Sequence, residues 1–75
     1  MESYKNFGGK SGVKAFETGS DFIKVKFSDN SIYLYSHLKP GRNHVETMKT
    51  LAKNGSGLNS YINLNVKFSY EAKLA

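Results

Sequence analysis

The chain has 75 residues and carries eleven Lys and Arg against six Asp and Glu, a net charge of +5. A chain of this size forms one small domain that buries only about 60% of its unfolded surface. With no cysteine it has neither a disulfide framework nor a thiolate zinc site, so stability must come from packing, above all of its five Phe and five Tyr.

Residues 1–12 are polar and rich in glycine, and read as a flexible leader to a single domain over residues 13–75. Within it, Gly8-Gly9-Lys10-Ser11 imitates the end of a phosphate-binding loop. That motif needs a glycine where Tyr4 stands and a helix where a strand pattern follows, so the match is rejected. No basic-then-apolar start marks a signal peptide, and no apolar run nears the ~20 residues of a membrane span. The expectation is a cytoplasmic protein with no membrane partner.

Val13-Lys14-Ala15-Phe16-Glu17 alternates as a first strand, closed by Thr18-Gly19-Ser20-Asp21. Ile23, Val25 and Phe27 alternate with Lys24, Lys26 and Ser28, and Ile32-Tyr33-Leu34-Tyr35 follows beyond Asp29-Asn30. Asp and Asn tolerate positive φ, so the pair reads as a two-residue hairpin turn. Closing it on Ser28 and Ser31 sets Phe27 against Ile32, Lys26 against Tyr33, Val25 against Leu34 and Lys24 against Tyr35. One face of the hairpin is then apolar, and the other carries two tyrosines and two lysines.

Pro40-Gly41 ends the extended pattern. Asn43 and Glu46 have capping-box spacing, and Val45, Met48 and Ala52 share one helical face with Leu51 at its edge. These predict an amphipathic helix over residues 44–53, stopped by Asn54-Gly55. Arg42, Glu46, Lys49 and Lys53 run beside the stripe. A short second helix restarts at Gly57-Leu58-Asn59, with Leu58, Tyr61 and Ile62 inward, and residues 66–72 suit either helix or strand. The fold class is α+β: a three-stranded antiparallel meander, one amphipathic helix laid on Ile23, Val25, Phe27, Ile32 and Leu34, and a short second helix.

Tyr33-Leu34-Tyr35, Leu51-Ala52 in the helix, and Gly57 followed by Tyr61-Ile62-Asn63 stand in the order and spacing of a known small domain. From about Val13 to Tyr70 the chain resembles the KTSC domain, found at the C-terminus of some lysyl-tRNA synthetases and free-standing in bacteria. Leu38-Lys39-Pro40 departs from the family's Val-Pro, and Ile62 replaces an aromatic residue. The synthetase fusion implies an RNA partner.

Chemistry is sparse. His37 and His44 have no converging carboxylates in the sequence pattern, so no metal site is expected. No thiol and no nucleophile-elbow serine is present, and Asp21 and Asp29 fit turn positions. The expectation is a non-enzyme without a cofactor. The leading reading is a nucleic-acid-binding module, with single-stranded RNA stacked on Tyr33 and Tyr35 and its phosphates held by Lys24 and Lys26, extended by Arg42, Lys49 and Lys53. The alternatives are a protein-interaction or self-assembly domain using the same aromatic face, or an oligomer binding a phosphorylated small molecule such as a nucleotide. Asn59 and Asn63 suit helix capping, although amides also read bases.

Overall fold

The computed structural model describes residues 1–7, 9 and 11–75; Gly8 and Lys10 of the loop-like segment lie outside the described residues. The protein is α+β. Its antiparallel sheet has five strands in chain order: β1 (Glu2–Ser3), β2 (Val13–Thr18), β3 (Phe22–Phe27), β4 (Ile32–Ser36) and β5 (Ala72–Lys73). Two helices, α1 (Arg42–Asn54) and α2 (Leu58–Tyr61), precede β5, and α2 continues into a π-helical turn over Ile62–Val66.

The sheet is thus wider than the expected three strands. Its central meander is present, and each edge gains a two-residue strand. The first comes from the segment read as a flexible leader. Tyr4 lies in the core, its N–H donates to the Lys14 carbonyl, and its hydroxyl accepts the Leu58 N–H at 3.3 Å. Composition misled here because a single buried aromatic and a few backbone bonds suffice to hold a polar segment down.

In β2 a bulge at Lys14 lets Val13 and Phe16, three residues apart, both face inward. An extra residue in one strand shifts the alternation by one and leaves Lys14 exposed. The β2–β3 turn is closed by the Gly19 N–H on the Phe22 carbonyl. The Phe22 ring lies so close over Gly19 that a Cβ there would fall 2.0 Å from a ring carbon.

The β3–β4 hairpin differs by one residue from the expected register. Its loop has three residues, Ser28-Asp29-Asn30, because Phe27 exchanges backbone bonds with Ser31 and Asn30, and Asn30 takes the left-handed conformation at φ 70°. Asp29 secures the turn by accepting from both the N–H (3.0 Å) and the hydroxyl (2.6 Å) of Ser31. Those bonds, the hydroxyl's first, hold its carboxyl below the usual carboxylate range. A left-handed residue closing a three-residue loop is a common alternative to the two-residue turn. Lys24 therefore faces Leu34, Val25 faces Tyr33, Lys26 faces Ile32 and Ile23 faces Tyr35.

That single residue moves every β4 side chain to the opposite face. Tyr33 and Tyr35 join Ile23 and Val25 on the helix-covered side, while Ile32 and Leu34 turn outward beside Lys24 and Lys26 and are half-buried. The core is built from Val13, Phe16, Ile23, Val25 and Tyr35 below, and Val45, Met48, Ala52, Leu58, Ile62 and Val66 above, sealed by Tyr4. Val45, Met48 and Ala52 hold the inward stripe of α1 as the periodicity requires, and Leu51 sits at its edge, half-buried.

The first helix starts two residues before the expected 44, with Gly41 as its N-cap, and no side chain caps it. Asn43 is then inside the first turn, so the Asn43–Glu46 box does not form. Glu46 turns instead to His37 and Lys49, each at 2.8 Å. Gly55, left-handed at φ 79°, stops the helix as expected, its N–H on the Leu51 and Ala52 carbonyls. Of residues 66–72, Val66 ends the π-helical turn and Ala72 opens β5, while residues 67–71 between them form a tight bend that is neither helix nor strand.

Candidate functional site

The shift in register decides which side chains can act together. Lys24 and Lys26 lie on the outer face of the sheet, and Lys24 is already set 3.6 Å from Glu17 and 5.6 Å from the Phe22 ring. Tyr33 and Tyr35 lie on the inner face. The expected surface of two tyrosines and two lysines is therefore not assembled, because it required both pairs on one side. Arg42 and Lys53 are exposed near opposite ends of α1. Lys49 is tied down, its ammonium donating to Glu46 and, at 3.0 Å, to the Ser20 carbonyl. Together with the half-buried edge it occupies, this makes Lys49 a clamp between α1 and the β2–β3 turn.

Both histidines are committed to neighbours. His37 pairs with Glu46, and His44 Nδ1 lies 2.7 Å from the Tyr61 hydroxyl. Among the described residues no three His, Asp or Glu side chains come together as a metal site would need. None of the helices in the described residues is long and apolar enough to cross a membrane.

What the fold does assemble is a cleft of about 390 Å³ between the β3–β4 hairpin tip and the chain leaving the π-helical turn. Phe27, Tyr33 and Tyr35 line it from the sheet, and Ile62, Asn63, Lys67, Phe68 and Tyr70 from the other side. The rings are interlocked: Tyr33 meets Phe27 edge-on at 5.6 Å and Tyr70 edge-on at 4.7 Å. Edge-to-face contacts at these distances fix the rings against one another. Phe68 is different. It is 80% exposed, with the Lys67 ammonium 5.5 Å from its ring centre. Lys73 stands over the Tyr33 ring at 5.8 Å. At such distances a cation is attracted to the ring face.

Tyr35 is 1% exposed, and burial, with Tyr33 and Tyr70 close by, pushes its phenol up to about 12. It is therefore a neutral hydroxyl at any physiological pH. The cleft thus offers aromatic ring surfaces, the Tyr35 phenol within, and ammonium groups near the rings of Phe68 and Tyr33. Such a volume is that of a small-ligand site.

Two of the expected residues, Tyr33 and Tyr35, are in this cleft, with their chemistry intact and their neighbours changed. The sequence leaves residues 66–72 open between helix and strand, so it does not place Lys67 and Phe68, which lie in the turn after Val66. Asn63 was marked only as a cap that could also read a base. No family model, no curated protein and no solved structure matches the chain.

Proposed function

We propose that this protein binds single-stranded nucleic acid, RNA in the first place, by admitting a base into the aromatic cleft while the phosphates pass Lys67 and Lys73. The observation that carries this reading is the cleft itself, where stacking surfaces and cations stand side by side, with Phe68 exposed at 80% beside Lys67. Base stacking on an aromatic ring and ion contact with phosphate are the two elements of sequence-tolerant strand binding. The net charge of +5 favours such a partner. The KTSC-like reading is part of the same proposal and gains support from position. Its Tyr33-Leu34-Tyr35 element and its Tyr61-Ile62-Asn63 element face each other across the cleft through Tyr33, Tyr35, Ile62 and Asn63.

Fluorescence anisotropy with a labelled single-stranded RNA, repeated over a salt series, tests it. Lys67→Ala should lower the slope of log K against log salt by about 0.7, one phosphate's share for a single strand. Phe68→Ala should cost roughly 1–3 kcal/mol with the slope unchanged. Lys24→Ala with Lys26→Ala serves as the outer-face control. Loss of binding in that pair alone, with Lys67→Ala unaffected, would move the interface to the outer face. No binding by folded protein at low salt would end the proposal.

The outer face supports a second reading, a protein-interaction or self-assembly surface. Phe22, Ile32 and Leu34 are half-exposed there, so β4 is apolar on both sides, as in strands covered on two faces. Sedimentation at low and high salt separates the readings, since assembly through apolar contact persists in salt.

A further inference from the structure

The five tyrosines divide sharply by what their hydroxyls touch. Tyr4 accepts the Leu58 N–H, and Tyr61 bonds to His44. Among the described residues, the hydroxyls of Tyr33, Tyr35 and Tyr70 have no hydrogen-bond partner, and these are the three that line the cleft. A buried tyrosine hydroxyl ordinarily finds a partner, and one that does not calls for an explanation. The case is strongest for Tyr35, which is 1% exposed. No fully sealed side-chain polar atom in the described residues lacks a partner. The Tyr35 hydroxyl is therefore not fully sealed, and the cleft that Tyr35 lines offers it that opening.

Resting on the cleft reading above, we infer that Tyr35 is a base-contacting residue that hydrogen-bonds the polar edge of the inserted base, which enters ring-first with its phosphate left outside near Lys67. The orientation follows from electrostatics. Tyr35 is only 1% exposed and the Asp29 carboxylate also lines the cleft, so a phosphate within it would lose water beside a like charge, whereas an uncharged base edge carries both donors and acceptors. A hydroxyl can both donate to a ring nitrogen or carbonyl and accept from an amino group. Asn63, on the facing wall, offers an amide with the same versatility.

The test is Tyr35→Phe, which deletes one oxygen and keeps the ring. Because no protein partner is lost, thermal stability should stay at the parent value. Affinity for a ten-nucleotide single-stranded RNA should fall roughly tenfold, the size of one hydrogen bond whose partner is left unpaired, and the salt slope should not change. Nuclear magnetic resonance of the parent adds a direct readout. The Tyr35 ring signals should shift with each of the four nucleosides, which lack phosphate, and stay in place with inorganic phosphate. Unchanged RNA affinity in Tyr35→Phe overturns the inference and leaves the cleft reading standing. A Tyr35 shift with phosphate as large as that with nucleosides overturns the orientation. Failure of the parent itself to bind RNA or nucleosides removes the cleft reading, and this inference with it.

Discussion

Replacing Gly55 by alanine probes how firmly the N-terminal segment is docked. Two costs arise. At φ 79° an L-residue pays the left-handed penalty of about 1–2 kcal/mol. The new Cβ would also fall 2.8 Å from Lys5 Cβ and 3.1 Å from two carbons of the Phe7 ring. Lys5 Cβ sits against its own backbone, so the clash must move the main chain, which strains the 2.8 Å bond from the Phe7 N–H to the Gly55 carbonyl. Overpacking of this kind adds roughly 1–3 kcal/mol, against a total stability of about 4–11 kcal/mol for a chain of this length. Gly57 supplies the control. Its φ of 86° carries the same backbone penalty, but a Cβ there meets only Leu51 Cδ2 at an ordinary 3.5 Å. Urea titrations followed by circular dichroism should therefore rank Gly55→Ala below Gly57→Ala, with the difference shrinking in a Lys5→Gly background. Equal losses in the two single variants would refute the docking of residues 4–7 against the helix end.

Met48→Ala removes a fully buried side chain from the middle of α1 and should cost about 2–5 kcal/mol in the same titration; a loss below 1 kcal/mol would mean the stripe is rotated. Glu46 is held at about 2, first by the Lys49 hydrogen bond and then by that of His37. A carboxylate lowered on folding stabilises above its ordinary value near 4.5 and stops doing so as pH falls from there towards 2. Glu46→Gln should accordingly melt below the parent at pH 6, with the gap closing by pH 2, and melting curves that stay parallel across that range would contradict it. The gap should be small, because the carboxylate is solvated and exposed ion pairs are weak.

The sequence spelled out α1 almost completely, because Val45, Met48 and Ala52 obey a three-to-four spacing that no strand would use and Gly55 marks the end. It also announced that β3 and β4 form a hairpin. It did not reveal which face of β4 points inward. Ile32, Tyr33, Leu34 and Tyr35 are all large and at least partly apolar, so either set could fill the core and alternation alone could not choose between them. The decision rests in the turn, where left-handed Asn30 and the Asp29–Ser31 bonds select a three-residue loop over a two-residue one. The cleft was half legible for the same reason. Its tyrosines were visible as a pair, while Lys67 and Phe68 depend on where an aperiodic segment crosses the sheet, which only tertiary packing sets.

The strand order, which follows the chain without a crossover, has a kinetic meaning. Every pairing in the sheet except those of the two edges joins strands separated by a short turn, so the central ladder closes through small loops at small entropic cost. Proteins dominated by such local closures fold fast. The bond between Tyr4 and Leu58 spans 54 residues and belongs to the other extreme, since it must wait until both ends of the chain are in place. An interaction formed after the barrier slows unfolding without quickening folding. Tyr4→Phe should therefore steepen nothing in the folding limb of a chevron and raise the unfolding limb, and a slowed folding limb would show instead that the ends meet early. The small edge strand at the N-terminus is, on this view, the latch that sets how long the molecule stays folded.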